Sequence, residues 1–255
     1  RASAGITKQI VIYIVSFQMN YSEMDTPTVL IDLAVANKNI KNYQNYCDEK
    51  GLNLRPHIKT HKVPELAKLQ LAAGAIGITC QKVSEAEAML SEGGIDDVLI
   101  TYNIYGHSKL QRLLELSKKC NLSVVADNSV CVKGLSETFK EVDKPLKVLV
   151  ECDTGAFRCG VVAPEEACLL AQEINEMPGL KFGGLMTYPP ISQQEKVNRF
   201  LEAAKNLIYW LEGNSNCLDG YTKTMKNNWG NSMAWGKRIS QVFYRFPQVG
   251  YQLGI

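Results

Sequence analysis

The chain has 255 residues, of which 45% are hydrophobic, and its formal net charge at pH 7 is +2. This length and composition allow a substantial hydrophobic core, in one large α/β domain or in two small ones. The near-neutral charge argues against nucleic acid or a membrane surface as the main partner. The eight cysteines form no CxxC pair and are scattered through apolar segments, which favours buried reduced thiols in a cytoplasmic protein over a disulfide framework.

The first eighteen residues differ from the rest of the chain. Their apolar run, Ile10–Val15, is far shorter than the roughly 20 residues that a membrane-spanning helix needs. No convincing small-residue cleavage site follows it, which argues against a signal peptide. Because Met19 directly precedes the first well-patterned segment, we predict that the natural chain starts there and that residues 1–18 are an upstream or disordered extension.

From Thr28 onward, short β-branched apolar runs alternate with longer segments in which apolar residues recur every three or four positions. The predicted strands are Val29–Asp32, Asn53–His57, Ile76–Cys80, Val98–Thr101, Ser123–Ala126, Lys147–Cys152 and Phe182–Thr187. The predicted helices are Val35–Lys50, Pro64–Ala73, Ser84–Glu92, Ser108–Lys119, Ser129–Phe139, Pro164–Glu176 and Gln193–Leu211. Gly183 and Gly184, inside the last predicted strand, indicate a close approach of two backbones.

Seven successive strand–helix units predict a parallel sheet with helical crossovers, either a (β/α)8 barrel or a doubly wound sheet. No GxGxxG motif follows the first strand, which disfavours a dinucleotide-binding fold. We therefore predict a (β/α)8 TIM-type barrel over residues 19–213. The eighth strand is expected after residue 214, but residues 214–255 are polar, rich in Asn and Trp, and lack a clear strand. We predict that they form an atypical tail, either divergent or frameshifted.

The segment Arg55–Lys62, with the sequence RPHIKTHK, has five side chains that bear or accept a positive charge. It lies at the carboxyl end of the predicted strand Asn53–His57, and parallel α/β folds place their chemistry at the carboxyl ends of strands. Crowding by the other basic side chains, Arg55, His57, His61 and Lys62, disfavours the charged form of Lys59. Its amine is therefore predicted to be a nucleophile of the kind that forms a Schiff base. A zinc site at the two histidines is the less favoured interpretation, because the segment is predicted to be a loop and contains no HExxH glutamate.

Polar or ionisable side chains also follow the other predicted strands. Asp127–Ser129 matches the N-cap of the next helix. Arg158 either pairs with Asp153 or Glu151, or binds an anionic oxygen of a ligand. Tyr188 either packs in the core or stacks on a bound ring. The remaining candidates are Asp32, Gln81 with Lys82, Tyr102 with Asn103, and Thr187.

These segments together resemble the fold-type III pyridoxal-phosphate enzymes, and more narrowly the D-threonine aldolase and D-serine dehydratase-like family, built on the alanine racemase N-terminal barrel. Arg55–Lys62 is similar to the RPHxKTHK signature of that family, whose first lysine forms the Schiff base with the cofactor, and this implies Lys59. The resemblance also implies that Arg158 lies near the phenolic oxygen of the cofactor and that Tyr188 approaches the cofactor. We add Gln81 as a candidate cofactor contact. Four further segments carry the resemblance: Asp25–Thr28, Ala73–Glu87, Asp153–Gly160 and Gly184–Tyr188.

The resemblance implies pyridoxal 5'-phosphate as the cofactor, a small amino-acid substrate and, as in many relatives, a homodimer. Family members hold the phosphate on a Ser/Gly-rich loop near the eighth strand. The nearest counterpart here is Asp219–Thr224, in which Thr222 is the candidate ligand and the aspartate would repel a phosphate. In the family, a His and a Cys or Asp of a C-terminal β-domain bind a divalent metal. No histidine follows His107 in this chain, so we predict that this metal site is absent.

The implied activity is retro-aldol cleavage of D-β-hydroxy amino acids to glycine and an aldehyde, with Lys59 as the attachment point and His57 as a supporting or proton-handling group. Dehydration of D-serine or 3-hydroxyaspartate is the first alternative, and racemisation is the second, because the three reactions pass through related carbanion chemistry. Two alternatives of another class stay open. They are a protein that binds pyridoxal phosphate without catalysis and an inactive fragment.

Overall fold

The structure is a computed structural model and describes residues 24–153 and 155–188. From residue 64 onward, helices and strands alternate. The helices are α1 Leu33–Glu49, α2 Pro64–Ala72, α3 Val83–Leu90, α4 His107–Ser117, α5 Ser129–Phe139 and α6 Pro164–Glu176. The strands are β1 Ile78–Cys80, β2 Asp97–Ile100, β3 Asn121–Ala126, β4 Leu146–Cys152 and β5 Leu180–Thr187. A 3₁₀ turn, Ile58–Thr60, precedes α2.

The five strands form one parallel sheet in which each strand pairs with its neighbours in sequence order, from β1 to β5. A doubly wound sheet reverses its strand order at a switch point, and no reversal occurs across these strands. Unbroken sequential order with helical crossovers is the arrangement of a (β/α)8 barrel. The predicted fold class is therefore confirmed. The predicted helix Gln193–Leu211 and the eighth strand lie outside the described residues.

The prediction of a strand at Val29–Asp32 is wrong. Val29 is 61% exposed, and no described strand pairs with this segment. Its last residue, Asp32, is the N-cap of α1. The Asp32 carboxylate accepts hydrogen bonds from the backbone N–H groups of Ala34 and Val35. These bonds satisfy donors that the first turn of α1 would otherwise leave unpaired.

The predicted strand Asn53–His57 is only partly formed. It runs along the outer edge of β1, with a parallel bridge between His57 and Thr79. The backbone N–H of Thr79 also donates to the carbonyl of Pro56, at 2.8 Å. Because Pro56 has no N–H to donate, a regular ladder cannot continue through it. The segment nevertheless delivers Lys59 to the carboxyl end of the sheet.

The strands are buried on both faces, as parallel strands covered by helices require. Val98 and Ile100 of β2 belong to the main hydrophobic core, together with side chains of the helices. Leu99, which lies between them, belongs to a second buried cluster with Val125 and Met186. Alternate side chains point to opposite faces, so this second cluster lies on the face that forms the interior of a barrel.

The two glycines form a bulge in β5, and the neighbours of Gly183 are side chains of β4, so the expected close approach of two backbones is not what these glycines serve. The pairing register of β4 and β5 shifts where Gly183 is inserted between Phe182 and Gly184. A Cβ atom at Gly183 would lie 2.4 Å from Cγ of Lys147, and Gly184 has a φ of +119°. Because only glycine tolerates both conditions easily, this pair sets the course of the strand end that carries Tyr188.

Six of the cysteines are free thiols, namely Cys47, Cys80, Cys120, Cys131, Cys152 and Cys159. Cys168 is disulfide-bonded, so the prediction of reduced thiols is wrong at that position. Among the described helices, none is both long enough and apolar enough to cross a membrane.

Candidate active site

One recess at the carboxyl ends of the strands collects side chains from widely separated segments. The predicted catalytic and cofactor-binding residues that the structure describes are brought together here, namely His57, Lys59, Gln81, Arg158 and Tyr188. Thr222 lies outside the described residues. The lining residues are His57, Lys59, Gln81, Thr101, Tyr102, Glu151, Arg158, Cys159 and Tyr188.

Lys59 has an amine that is easier to deprotonate than an ordinary lysine. Partial burial lowers its pKa first, and the positive charge of Arg158 lowers it further, while the carboxylate of Glu85 opposes the shift. The expected crowding by Arg55 is not the cause. Arg55 is ion-paired with Asp97 at 2.6 Å, so the cation that acts on Lys59 comes from the loop after β4.

His57 caps the 3₁₀ turn that contains Lys59. Its Nδ1 accepts a hydrogen bond from the backbone N–H of Lys59 at 3.3 Å. Burial, followed by the charge of Lys59, lowers the pKa of His57 to about 3, although a hydrogen bond to the backbone of Thr79 opposes the shift. The imidazole is therefore neutral near pH 7, and it fixes the backbone from which the lysine projects.

Arg158 stacks on the ring of Tyr188. The Cζ atom of Arg158 lies 4.7 Å from the ring centroid, and Nζ of Lys59 lies 5.8 Å from the same centroid. Neither Asp153 nor Glu151 comes within 4.0 Å of this guanidinium, so the predicted ion pair is not among the salt bridges of the described residues. The contact with an aromatic ring leaves the guanidinium charge available to an anionic oxygen.

The loop that carries Arg158 is folded by its own first residue. Oδ1 of Asp153 accepts the backbone N–H groups of three following residues, Gly155, Ala156 and Phe157, at 2.9, 2.9 and 3.1 Å. The loop closes beside β4, where the N–H of Val161 donates to the carbonyl of Glu151 at 2.9 Å. Gly160 permits this closure, because a Cβ there would lie 2.6 Å from the backbone nitrogen of Asp153.

Buried Glu151 and half-buried Cys159 form a pair that the sequence did not predict. The Cys159 thiol donates to Oε1 of Glu151 over 3.1 Å. Burial raises the pKa of Glu151 and, with the hydrogen bond to Glu151, raises the pKa of Cys159 to about 12. A signal was present in the sequence, because a carboxylate inside the apolar run Lys147–Cys152 has to find a buried partner.

Other strand-end candidates serve the scaffold. Oδ1 of Asn128 accepts the backbone N–H of Cys131 at 3.0 Å, which confirms the predicted N-cap of α5. Its neighbour Asp127 accepts the side-chain amide of Asn103 at 2.7 Å and the backbone N–H of Gly160 at 3.1 Å. Asp127 therefore ties together the loops that follow β2, β3 and β4.

His61 does not join His57 at a common site. Its Nδ1 accepts the backbone N–H of Val63 at 3.0 Å, just before α2 begins. In the described part of the chain, no three side chains of the His, Cys, Asp or Glu type are grouped so that they could hold a metal ion.

Comparison with known proteins identifies the family. The family model for the alanine racemase N-terminal domain matches residues 31–226. The chain belongs to this family. It is thereby a member of the fold-type III pyridoxal-phosphate group, as the signature segment predicts.

Several relatives are lyases. The chain is 40% identical over 167 residues to D-threonine aldolase of an Arthrobacter species, a match that covers 66% of this chain and 44% of that protein. It is 37% identical over 172 residues to 3-hydroxy-D-aspartate aldolase of Paracoccus denitrificans, covering 67% and 44%. D-threo-3-hydroxyaspartate dehydratase of a Delftia species is 32% identical over 183 residues, covering 71% and 47%. The chain thus spans less than half the length of these curated relatives.

A solved structure shows the same architecture. The crystal structure of D-threonine aldolase from Filomicrobium marinum matches with a TM-score of 0.70 and 34% identity, over 74% of this chain and 53% of that one. Structures of alanine racemases are more distant; that from E. faecalis has a TM-score of 0.61 at 21% identity and supports the fold alone.

The side chains of the recess fit pyridoxal phosphate by their chemistry. An aldehyde requires an amine that is not permanently protonated, and Lys59 has a lowered pKa. An anionic oxygen requires a fixed cation, which Arg158 supplies, and a planar ring requires an apolar surface such as Tyr188. The predicted phosphate ligand, Thr222, is not among the described residues.

Proposed function

We propose that this chain carries the cofactor-binding barrel of a pyridoxal-phosphate lyase for D-β-hydroxy amino acids, of the D-threonine aldolase type, which releases glycine and an aldehyde. The observation that carries the proposal is the amine of Lys59 in a recess beside Arg158 and Tyr188. The relatives at 40% and 37% identity are aldolases, which favours cleavage over dehydration.

Bound pyridoxal phosphate supplies an electron sink for negative charge at the substrate Cα. Lys59 would hold the cofactor through its aldehyde group, and the lowered pKa leaves a larger fraction of the Lys59 amine unprotonated. Arg158 would hold an anionic oxygen of the cofactor, because a guanidinium keeps its charge at any working pH. Neutral His57 holds the turn of Lys59 in place through Nδ1.

The attachment residue is tested by borohydride trapping. The chain is titrated with pyridoxal phosphate, reduced, and digested, and the labelled lysine is located by mass spectrometry. We expect the label on Lys59. Lys59→Ala should abolish both the visible absorbance of the protein-bound cofactor and the trapped label. The matched control is Lys62→Asn, because Lys62 is exposed in the same segment with a φ of +55°, which asparagine tolerates. Trapping that survives in Lys59→Ala would overturn the proposal.

The reaction is tested by its products. Glycine plus an aldehyde from D-threonine supports aldol cleavage. Pyruvate plus ammonia from D-serine, or oxaloacetate plus ammonia from 3-hydroxyaspartate, would indicate a dehydratase, in line with the relative at 32% identity. Conversion of D-threonine into its Cα epimer without cleavage would indicate a racemase. Saturable cofactor binding without turnover of any D-β-hydroxy amino acid would identify a binding protein.

The predicted homodimer, the cytoplasmic location and the domain limits at residues 18 and 213 stay predictions. The same applies to the predicted absence of the metal site after residue 213.

A further inference from the structure

A hydrogen bond between a half-buried thiol and a buried carboxylate lies directly beside Arg158. Cys159 follows Arg158 in the chain, and its thiol reaches Oε1 of Glu151 in β4 at 3.1 Å. Glu151 is only 3% exposed, and both partners line the recess that contains Lys59. The pKa of Cys159 is raised to about 12, so the thiol keeps its proton and is the donor.

We propose that Glu151 and Cys159 are positioning residues that, through this hydrogen bond, hold Arg158 over Tyr188 and beside Lys59. The thiol anchors the backbone at residue 159 to β4, and the guanidinium projects from the preceding residue. The inference deepens the proposed function, since it assigns a support to a cofactor-binding side chain. The arrangement of Arg158 and Lys59 itself is independent of any cofactor.

The rest of the loop shows why this contact matters. Asp153 holds the loop up to Phe157, and Asp127 holds it again at Gly160. Between these anchors, neither Arg158 nor Cys159 has a backbone N–H bonded to any residue in the described ranges. The stretch is therefore held by two side-chain contacts, Arg158 on the ring of Tyr188 and Cys159 on Glu151.

A measurable consequence follows for Lys59. After burial, the charge of Arg158 is the main influence that lowers the pKa of this lysine. If the loop loses its anchor and Arg158 moves away, the amine becomes more fully protonated at a given pH. It then reacts more slowly with an acylating reagent, because the unprotonated amine is the nucleophile. This readout needs no cofactor.

The test uses two disruptive variants and two conservative ones. Cys159→Ala and Glu151→Met remove the hydrogen bond, whereas Cys159→Ser and Glu151→Gln keep a donor and an acceptor in place. Acylation of Lys59 is followed by mass spectrometry at fixed pH in the cofactor-free chain, with exposed Lys109 as the internal reference. The dissociation constant for pyridoxal phosphate is measured in parallel.

We expect the two disruptive variants to slow Lys59 acylation by about 2- to 5-fold at most, the limit set by complete loss of the Arg158 charge. They should weaken cofactor binding by about 3- to 10-fold, the effect of losing one hydrogen bond. The conservative variants should stay within about 2-fold of the wild type. Thermal unfolding of all four variants reports whether the fold is retained. If Cys159→Ala fails to fold, Glu151→Met tests the same bond from the other side.

The outcomes separate this inference from the proposed function. Wild-type values for both readouts in Cys159→Ala and Glu151→Met would overturn the positioning role. Equal losses in the disruptive and conservative variants would also overturn it, because they would indicate packing alone. If the wild-type chain binds no pyridoxal phosphate while Lys59 acylation still slows in the disruptive variants, the positioning role stands and the proposed function fails.

Discussion

The guanidinium of Arg158 and the ring of Tyr188 face each other at 4.7 Å, although they follow different strands. Two local features produce this contact. The glycine bulge in β5 directs the strand end that carries Tyr188, and the Asp153 turn folds the loop that carries Arg158. Because Nζ of Lys59 lies 5.8 Å from the same ring, an aromatic face lies close to two cations and offsets part of their repulsion.

Substitutions of Tyr188 should separate the role of its ring from that of its hydroxyl. Tyr188→Leu removes the ring beneath Arg158 and should weaken pyridoxal-phosphate binding by about 2- to 5-fold, the value of a cation–π contact at an exposed site. Tyr188→Phe keeps the ring and should weaken pyridoxal-phosphate binding less than Tyr188→Leu does. Cofactor titration by visible absorbance measures both. Equal losses in the two variants would show that the hydroxyl, and not the ring, supports binding.

The lowered pKa of His57 predicts a loss of stability in mild acid. The folded state has a pKa of about 3 at this residue, whereas an unfolded histidine has a pKa of about 6.5. The contribution of His57 is therefore fully present above pH 6.5 and is lost progressively as the pH falls toward 3. Between pH 7 and pH 5, the free energy of unfolding should fall by about 1–2 kcal/mol on this account.

His57→Asn tests this pH dependence, because asparagine keeps an acceptor for the N–H of Lys59 and does not titrate. Urea unfolding at pH 7 and pH 5 should show a smaller loss in the variant than in the wild type. Thr60→Ser, in the same turn, changes no titratable group and should follow the wild type. An equal loss in His57→Asn and the wild type would assign the acid sensitivity to other groups.

Two glycines in the Arg158 loop provide a matched pair for backbone strain. Gly160 and Gly155 have similar φ angles, +110° and +106°. A Cβ at Gly160 would lie 2.6 Å from backbone atoms of Cys152 and Asp153, whereas a Cβ at Gly155 would meet nothing within 4 Å. Gly155→Ala should cost about 1 kcal/mol from the backbone angle alone, and Gly160→Ala should cost more, about 2–4 kcal/mol. Denaturant midpoints that are equal for the two variants would contradict the steric argument.

The helices were predicted well because their ends are marked locally. The bounds of α5 and α6 agree with the sequence, since Asn128 caps the former and Pro164 begins the latter. The first strand was predicted wrongly because a β-branched run indicates a capacity to pair and does not show that a partner is present. The run Asn53–His57 was predicted as a full strand, although Pro56 within it was the one sequence signal that its ladder is interrupted.

The site was predicted where its chemistry is local and missed where it depends on distant contacts. Lys59 stands in a distinctive segment, and Arg158 and Tyr188 follow buried strands. The cause of the lowered pKa of Lys59 was assigned to its neighbours in sequence, but Arg55 is paired with Asp97 and the acting charge belongs to Arg158. The hydrogen bond between Glu151 and Cys159 depends on how a loop folds back on its strand, and no local pattern specifies that.

The two arginines should therefore differ when each is neutralised. Arg158→Gln removes the charge that acts on Lys59 and should slow acylation of this lysine in the cofactor-free chain by about 2- to 5-fold, the effect of roughly 0.5–1 kcal/mol of charge repulsion at a partly solvated site.

Arg55→Gln breaks the ion pair with Asp97 and the hydrogen bond to the carbonyl of Ile78, so it should lower the free energy of unfolding by about 1–3 kcal/mol. The acylation rate of Lys59 should stay close to that of the wild type, because the charge removed was already neutralised by Asp97. If Arg55→Gln slows the acylation of Lys59 and Arg158→Gln does not, the charge that lowers the pKa of Lys59 belongs to its own segment and not to Arg158. That result would also contradict the proposed positioning role of Cys159 and Glu151, because Arg158 would then have no effect on Lys59.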